Sequence, residues 1–150
     1  MKLTINTDER YSETEIILNC TRINDDIEKL LSAIRVFDMK LTGRKDGHHH
    51  FIDVSKIIYI ESNEKRTFFY TSADVYECFN RLYELEEMLA GQNFIRASKT
   101  SIFNLNYVRS LKSDLEQKLI LTMENDLKIV VSRQFSSAVK KKLEAIHGQK

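Results

Sequence analysis

Three short clusters of basic and hydrogen-bonding residues carry the side chains best suited to bind a charged partner. They are NEKRT at residues 63–67, RASKTS at 96–101 and SRQ at 132–134, and each lies at the end of an apolar run. Lys and Arg can hold phosphate, Arg can also bond guanine, Gln can pair with adenine, and Ser or Thr can do either. Any one cluster could equally be an ordinary solvated loop, but three that converged would suit nucleic acid.

The charge of the chain is unevenly distributed. Residues 1–93 contain 12 Lys and Arg against 17 Asp and Glu, whereas residues 94–143 contain 10 against 4. Residues 93–111 contain no acid at all. A carboxylate in that stretch would repel phosphate and compete for the arginines, so its absence favours a surface that meets nucleic acid.

The sequence has no signature of an enzyme. Phosphate-binding glycine loops, a nucleophile elbow and the HExxH zinc motif are all absent, and there are only four glycines. His48, His49 and His50 are predicted to lie in an exposed turn rather than to bind metal, and Cys20 and Cys78 to be reduced, buried thiols. We therefore expect no catalytic residue, cofactor, metal or small-molecule substrate.

Residues 1–44 are predicted to form a short βα appendage. Alternation in MKLTIN and TEIILNC indicates two early strands. In NDDIEKLLSAIRVF, the apolar spacing predicts an amphipathic helix, and Asp25 with Glu28 resembles a capping box. Such a piece is too small for its own core, so we expect it to dock on the rest of the chain.

Residues 45–150 are predicted to form a second domain that is mainly β, with small packed antiparallel sheets and few helices. Short alternating runs such as KIIYIES and RTFFYTS recur at the spacing of antiparallel strands. KLILTME and LKIVVSR predict a hairpin around Asn125 and Asp126. Two helices are expected, NRLYELEEMLAG with Asn80 as N-cap and Gly91 as stop, and SSAVKKKLEAIHG at the end.

Separated motifs occur in the order found in a known family. IIYIESNEKRTFFYTS, LYELEEMLAGQNFIRASKTSIFNLNYVRSL and LILTMENDLKIVVSRQFSSAVKKKL together resemble the LytTR DNA-binding domain of bacterial transcription regulators, over about residues 45–145. The resemblance implies small antiparallel sheets whose loops, at one edge, enter successive major grooves of direct-repeat sites. The chain is therefore expected to be a sequence-specific transcription regulator that binds double-stranded DNA.

The resemblance assigns DNA contacts to the same three clusters. They are Lys65, Arg66 and Thr67; Arg96, Ser98, Lys99 and Ser101; and Arg133 with Gln134. Asn104 is expected to fix its loop through backbone hydrogen bonds. Many relatives have His or Asn where this chain has Thr67 and Lys99, and some have a second Arg where Gln134 stands. The preferred bases are therefore expected to differ, and Lys99 could contact a base or a phosphate.

The remaining expectations concern partners. Only about 45 residues precede the resemblance, which points to the stand-alone branch of the family, without a phospho-acceptor domain and with a membrane protein as a possible regulatory partner. We expect a cytoplasmic homodimer, with residues 1–44 as the dimerisation element. The alternative function is a non-catalytic RNA-binding or protein-interaction adaptor, since a fold does not determine a function.

Overall fold

The computed structural model describes residues 1–116 and 118–147, excluding the side chains of residues 36–38, 146 and 147. Its helices are α1 (Asp25–Asp38), α2 (Leu82–Met88) and α3 (Arg133–His147). Its strands are β1 (Lys40–Lys45), β2 (His48–Asp53), β3 (Tyr59–Asn63), β4 (Arg66–Tyr70), β5 (Val75–Cys78), β6 (Phe94–Ser98), β7 (Ser101–Asn104), β8 (Val108–Ser113), β9 (Leu119–Met123) and β10 (Lys128–Val131). The predicted mainly antiparallel β fold is confirmed.

Seven strands form one antiparallel sheet in the order β2-β1-β5-β4-β3-β7-β6. Tight turns join several neighbours, and Asp46 with Gly47 between β1 and β2 has the positive φ angles of 53° and 76° that a type I′ hairpin turn requires. The predicted histidine turn is therefore wrong, because His48, His49 and His50 lie on β2, the strand after this turn.

Two hydrophobic clusters use opposite sides of this sheet. The first gathers Ile60, Phe69 and Ile102 under α2. Leu82, Leu85 and Leu89, in this helix and just after it, are buried as their spacing predicted. The Arg81 backbone N–H donates to the Glu84 carboxylate at 2.8 Å in the first turn of α2, so the prediction of Asn80 as its cap is wrong. Gly91, with φ of 81°, ends the turn after α2 as expected.

The second cluster lies between the large sheet and a smaller sheet of order β10-β9-β8. The predicted inward row of the hairpin, Leu119, Leu121 and Met123, is fully buried there. α3 closes this cluster with Val139 and Leu143; Ile146, predicted on the same stripe, has a side chain outside the described residues. The two sheets are thus stacked about a shared core.

The N-terminal residues depart from the prediction. Residues 1–24 are exposed and contain no strand in the part of the chain that the structure describes, because the two apolar segments find no backbone partner there. α1 forms as predicted, but its cap is the Asn24 side chain, which accepts from the Ile27 backbone N–H at 3.0 Å. Cys20 is exposed rather than buried, whereas Cys78 is buried.

No helix within residues 1–116 and 118–147 combines the length and the apolar character needed to cross a membrane.

Candidate nucleic-acid interface

Backbone hydrogen bonds bring the three polar-basic clusters together. The Ser62 N–H donates to the Thr100 carbonyl at 2.8 Å, which joins the β3–β4 turn to the β6–β7 loop. The Ser132 N–H donates to the Ala97 carbonyl at 2.9 Å, which joins the end of β10 to β6. Residues 63–67, 96–101 and 132–134 therefore form one continuous edge, which we call the loop edge.

The first cluster lies on a tight hairpin. Asn63 pairs with Arg66, and the two residues between them, Glu64 and Lys65, have φ angles of 49° and 74°. Left-handed conformations are unfavourable for residues with a Cβ, so this turn stores backbone strain at the loop edge. It projects Lys65 into solvent, whereas Thr67 is only 3% exposed and faces the core.

Arg66 is engaged by the protein itself. Its Nε and Nη2 atoms each donate to the Glu77 carboxylate at 3.0 Å, and its guanidinium lies 5.2 Å from the centre of the Phe68 ring. Arg44 donates to the same carboxylate at 3.0 Å and stacks on Phe79. The hydrogen bonds from Arg66, then those from Arg44, lower the pKa of Glu77 to about 2. Arg66 therefore reaches solvent with its charge already paired.

Arg96 points into its own loop. Its Nη1 donates to the Lys99 carbonyl at 2.7 Å and to the Ser98 carbonyl at 3.3 Å, and its Nε lies 3.2 Å from the Glu86 carboxylate of α2. The side chain is only 14% exposed. The pairing of β6 with β7 is also irregular between Arg96 and Ser98, as in a β-bulge. Arg96 thus holds the loop in shape, and Lys99 at its tip is left to reach solvent.

The serines of this loop bond to each other. The Ser98 and Ser101 hydroxyls lie 2.7 Å apart, and the Ser98 oxygen accepts from the Thr100 N–H at 3.2 Å. Ser101 is buried, whereas Lys99 is exposed. A contact from Ser98 or Ser101 to DNA remains a prediction, and each would have to exchange an existing hydrogen bond.

The third cluster starts a helix. Arg133 and Gln134 are the first two residues of α3 and both are exposed. The Arg133 Nη2 donates to the Glu116 carbonyl at 3.1 Å, which leaves its other nitrogens available. Ser132 starts the helix, since its carbonyl accepts from the Phe135 and Ser136 N–H groups. The Arg133 and Gln134 side chains therefore project from a rigid helix at the loop edge.

Asn104 anchors the segment after the loop. It is 1% exposed, its Nδ2 donates to the Ile57 carbonyl at 2.9 Å, and its Oδ1 accepts from the Asn106 N–H at 3.0 Å. The predicted structural role is confirmed. β7 is thereby held against the short segment that leads into β3.

Glu61 is a carboxylate on β3, close to the loop edge. It pairs in register with Ser101, and the Tyr70 hydroxyl donates to it. Burial, together with this hydrogen bond, raises the pKa of Tyr70 to about 12. The phenol therefore stays protonated at neutral pH and continues to donate to the carboxylate.

Sequence reasoning missed a groove beside Arg133. It has a volume of about 660 Å³ and combines three cations, Arg133, Lys140 and Lys141, with serine hydroxyls and a single carboxylate, that of Glu144. The spacing of four and eight residues on α3 could have indicated it, because residues separated in this way share one helix face. Phosphate oxygens are the ligands that such a set favours.

The unpaired positive charge of the loop edge is concentrated in three residues. Lys65, Lys99 and Arg133 are exposed, and none takes part in an ion pair among residues 1–116 and 118–147. Cations without a carboxylate partner attract phosphate most strongly. With Gln134 beside them, the loop edge offers both charge and hydrogen-bonding capacity to a duplex.

Comparison with known proteins identifies the family. The model of the LytTr DNA-binding domain matches residues 47–144, which is more than half of the chain. The chain belongs to the LytTR family. It is therefore a DNA-binding protein, and the matched domain includes β2 to β10, α2 and most of α3.

Two curated relatives extend the similarity to the N-terminal residues. HTH-type transcriptional regulators of Staphylococcus aureus strains MRSA252 and NCTC 8325 are 29% and 28% identical over 145 residues, which cover 95% of this chain and 98% of theirs. Those matches include most of residues 1–46, which the family model leaves out. Despite the relatives' name, no two helices are consecutive in the described part of this chain, so it has no helix-turn-helix there.

A solved LytTR structure has the same fold. The LytTr DNA-binding domain of a putative methyl-accepting/DNA response regulator from Bacillus cereus superimposes with a TM-score of 0.66 and 25% identity. The match covers 69% of this chain and 95% of that chain.

Proposed function

We propose that this LytTR protein is a transcription regulator that reads specific DNA sequences through its loop edge. Lys65, Lys99, Arg133 and Gln134 make the contacts, and the loops enter successive major grooves of direct-repeat sites. The observation that carries the proposal is the pair of backbone hydrogen bonds that joins the three clusters into one edge. Bidentate contacts to bases give specificity, while phosphate contacts give salt-dependent affinity.

Arg133 and Gln134 are assigned to base reading. Both start from the first turn of α3, so their backbones are fixed. An Arg can donate to both acceptors of guanine, and a Gln can donate to N7 of adenine while its oxygen accepts from the N6–H. Lys65 is assigned to phosphate, because a flexible ammonium at the tip of a hairpin acts as a point charge. Lys99 could serve in either role.

The experiment is a binding titration after selection of preferred fragments from a random duplex pool. Arg133→Ala should lower affinity for the selected site by about 1–3 kcal/mol and reduce its preference over a random duplex. Lys65→Ala should weaken binding to the selected and the random duplex equally, and it should reduce the slope of log affinity against log salt by about 1.

Lys128→Ala provides the matched control. Lys128 is an exposed lysine at the start of β10, whereas Arg133 lies beyond the end of that strand, so the same charge is removed away from the loop edge. If Arg133→Ala keeps the wild-type ratio between selected and random duplexes, Arg133 is not a base reader. If no duplex is selected over competitor DNA, the proposed reading of specific DNA sequences is refuted, and the alternative of a non-catalytic adaptor takes its place.

We also propose that the protein works as a homodimer in which residues 1–44 supply the contact. Its support is that residues 1–24 are exposed and carry large apolar side chains. Two copies would place two loop edges on a pair of half-sites, and direct-repeat half-sites require the two loop edges to turn independently of the two-fold axis of the dimer.

A further inference from the structure

The N-terminal segment, defined as residues 1–24, has the alternating apolar residues of a strand but pairs with no strand among the described residues. It contains a turn, where the Tyr11 N–H donates to the Asp8 carbonyl at 3.2 Å. On either side of this turn, large apolar side chains are exposed to water. Their exposed fractions are 84% for Leu3, 76% for Ile5, 61% for Ile16, 69% for Ile17 and 62% for Ile23. Burying this surface would be favourable, and unpaired extended backbone can add a strand to a sheet.

An acceptor for such a strand lies on β2. This strand ends the order of the seven-stranded sheet, so among the described residues no strand pairs with its outer edge. Phe51 of β2 is 70% exposed, and beside it His49 stacks on Phe79, which is itself 62% exposed. An exposed edge with an apolar face is a surface that native proteins normally cover.

We propose that the N-terminal segment of one copy pairs with the β2 edge of a second copy, and that the exchange is reciprocal. Each large sheet then gains strand pairing from its partner, and the apolar side chains of the segment cover Phe51 and Phe79. This inference rests on the proposed homodimer and names its interface. The contact surface, on β2, lies at the opposite end of the strand order from β6, which carries part of the loop edge.

A second copy fits better than the segment's own sheet. Among the described residues, the segment is exposed along its whole length and makes no backbone hydrogen bond to its own sheet, although only α1 lies between it and β1. A reciprocal exchange places 24 residues of each copy in the interface, and stable interfaces use roughly 20–30 residues a side.

Charge also disfavours two N-terminal segments meeting each other. Residues 8–15 hold four acids and one arginine. On β1, Lys40, Arg44 and Lys45 already pair with Asp53, Glu77 and Asp74, so the β1–β2 surface carries no excess of negative charge. Pairing the acidic segment with the β2 edge avoids the like-charge repulsion that two such segments would meet.

Two variants of the full chain test the two surfaces separately. The donor variant carries Ile5→Asp and Ile17→Asp, and the acceptor variant carries Phe51→Asp. Sedimentation equilibrium should show that the wild type is a dimer and that each variant raises the dimer dissociation constant at least about tenfold, since a buried charge costs more than about 1.4 kcal/mol. Leu115→Asp, on a residue 104% exposed in the β8–β9 loop, is the control and should leave the dimer unchanged.

Mixing the two variants provides the sharper test. The donor variant keeps an intact β2 edge and the acceptor variant keeps an intact segment, so a mixed pair retains one of the two exchanges. In an equimolar mixture, native mass spectrometry, which separates the species by mass, should therefore show heterodimers well above the 1:2:1 ratio that random pairing gives. Circular dichroism spectra matching the wild type establish that each variant is folded, and Phe51→Ser is a milder acceptor change for the same comparison.

Three results would overturn the proposal. A dimer that survives Phe51→Asp but not the donor changes would mean that the segments pair with each other. A monomeric wild type with the segment protected from hydrogen exchange would mean that it covers its own sheet. A 1:2:1 ratio of the three species on mixing would mean that the N-terminal segment and the β2 edge do not pair with each other. Binding of DNA that contains a single half-site tests the loop edge alone and should be the same for all variants. A failure of the DNA-reading proposal is thereby distinguished from a failure of the dimer interface.

Discussion

Glu77 neutralises the charge that Arg66 presents to solvent. Its carboxylate accepts from both Arg66 and Arg44, and its side chain is only 17% exposed. A partly buried carboxylate that already holds two guanidiniums competes with any phosphate that approaches them. We therefore expect Glu77 to limit non-specific binding of DNA by this arginine.

Glu77→Gln should raise affinity for random DNA. The amide removes the negative charge and leaves Arg66 and Arg44 without a counter-ion, so phosphate becomes their best partner. We expect tighter binding to a random duplex, a salt slope steeper by about 1, and a smaller preference for the selected site. Glu87→Gln, the same change on the exposed face of α2, is the control. Unchanged binding by Glu77→Gln would show that Arg66 is remote from the duplex.

The same carboxylate gives a dependence of stability on pH. The pKa of Glu77 falls from its ordinary value of 4.5 to about 2 in the folded chain. A lowered pKa stabilises the fold above the ordinary value and loses that effect as pH falls through the folded value. The difference in free energy of unfolding between wild type and Glu77→Gln should therefore be constant above about pH 5 and shrink towards about pH 2. Urea titrations at about pH 7, 4.5 and 3 span this window and measure it.

Among the elements, the β3–β4 hairpin combines strain with a candidate contact. Lys65→Gly should raise the free energy of unfolding by roughly 0.5–1 kcal/mol, because glycine adopts the left-handed conformation without a Cβ penalty. It should also lower DNA affinity, because the ammonium is lost. Urea denaturation and duplex titration separate the two effects. Glu64→Gly should stabilise similarly without loss of affinity; a parallel loss would assign the effect to the shape of the turn.

At the scale of single elements, the sequence predicted which segments form helices and hairpins, but not which segments or side chains pair with each other. Periodicity predicted α2, α3 and the β9–β10 hairpin, because apolar spacing is set by the buried face of each element. The prediction of two N-terminal strands is wrong because a strand needs an edge to pair with, and residues 1–24 find none in the described part of their own chain. Side-chain partners such as Glu77 for Arg66 lie on another strand, so charge alone could not show that Arg66 is paired.

At the scale of the whole molecule, two hydrophobic clusters share one sheet. Ile60 and Ile102 point to one side of the large sheet, whereas Ile58 and Phe103, on adjacent stretches of chain, belong to the other cluster. Because β3 and β7 contribute to both clusters, unfolding of one cluster exposes the other to water. The DNA-binding domain should therefore unfold as one cooperative unit.

Leu85→Ala and Leu121→Ala test this cooperativity from the two sides. Both leucines are fully buried, one in each cluster, so each change should cost about 2–5 kcal/mol. Denaturation followed by far-ultraviolet circular dichroism and by tyrosine fluorescence should give coincident single transitions for both variants. Separate midpoints for the two probes would show that the clusters unfold independently.

The internal anchoring of the β6–β7 loop has a consequence for how such regulators diverge. The side chains of Arg96, Ser98 and Asn104 direct their hydrogen bonds to the protein, while those of Lys99 and Gln134 make none among the described residues. Substitutions at Lys99 and Gln134 should therefore alter the free energy of unfolding very little. Gene duplicates could drift to new operators through these positions alone, and a mutant library limited to them should yield regulators with altered targets and wild-type stability.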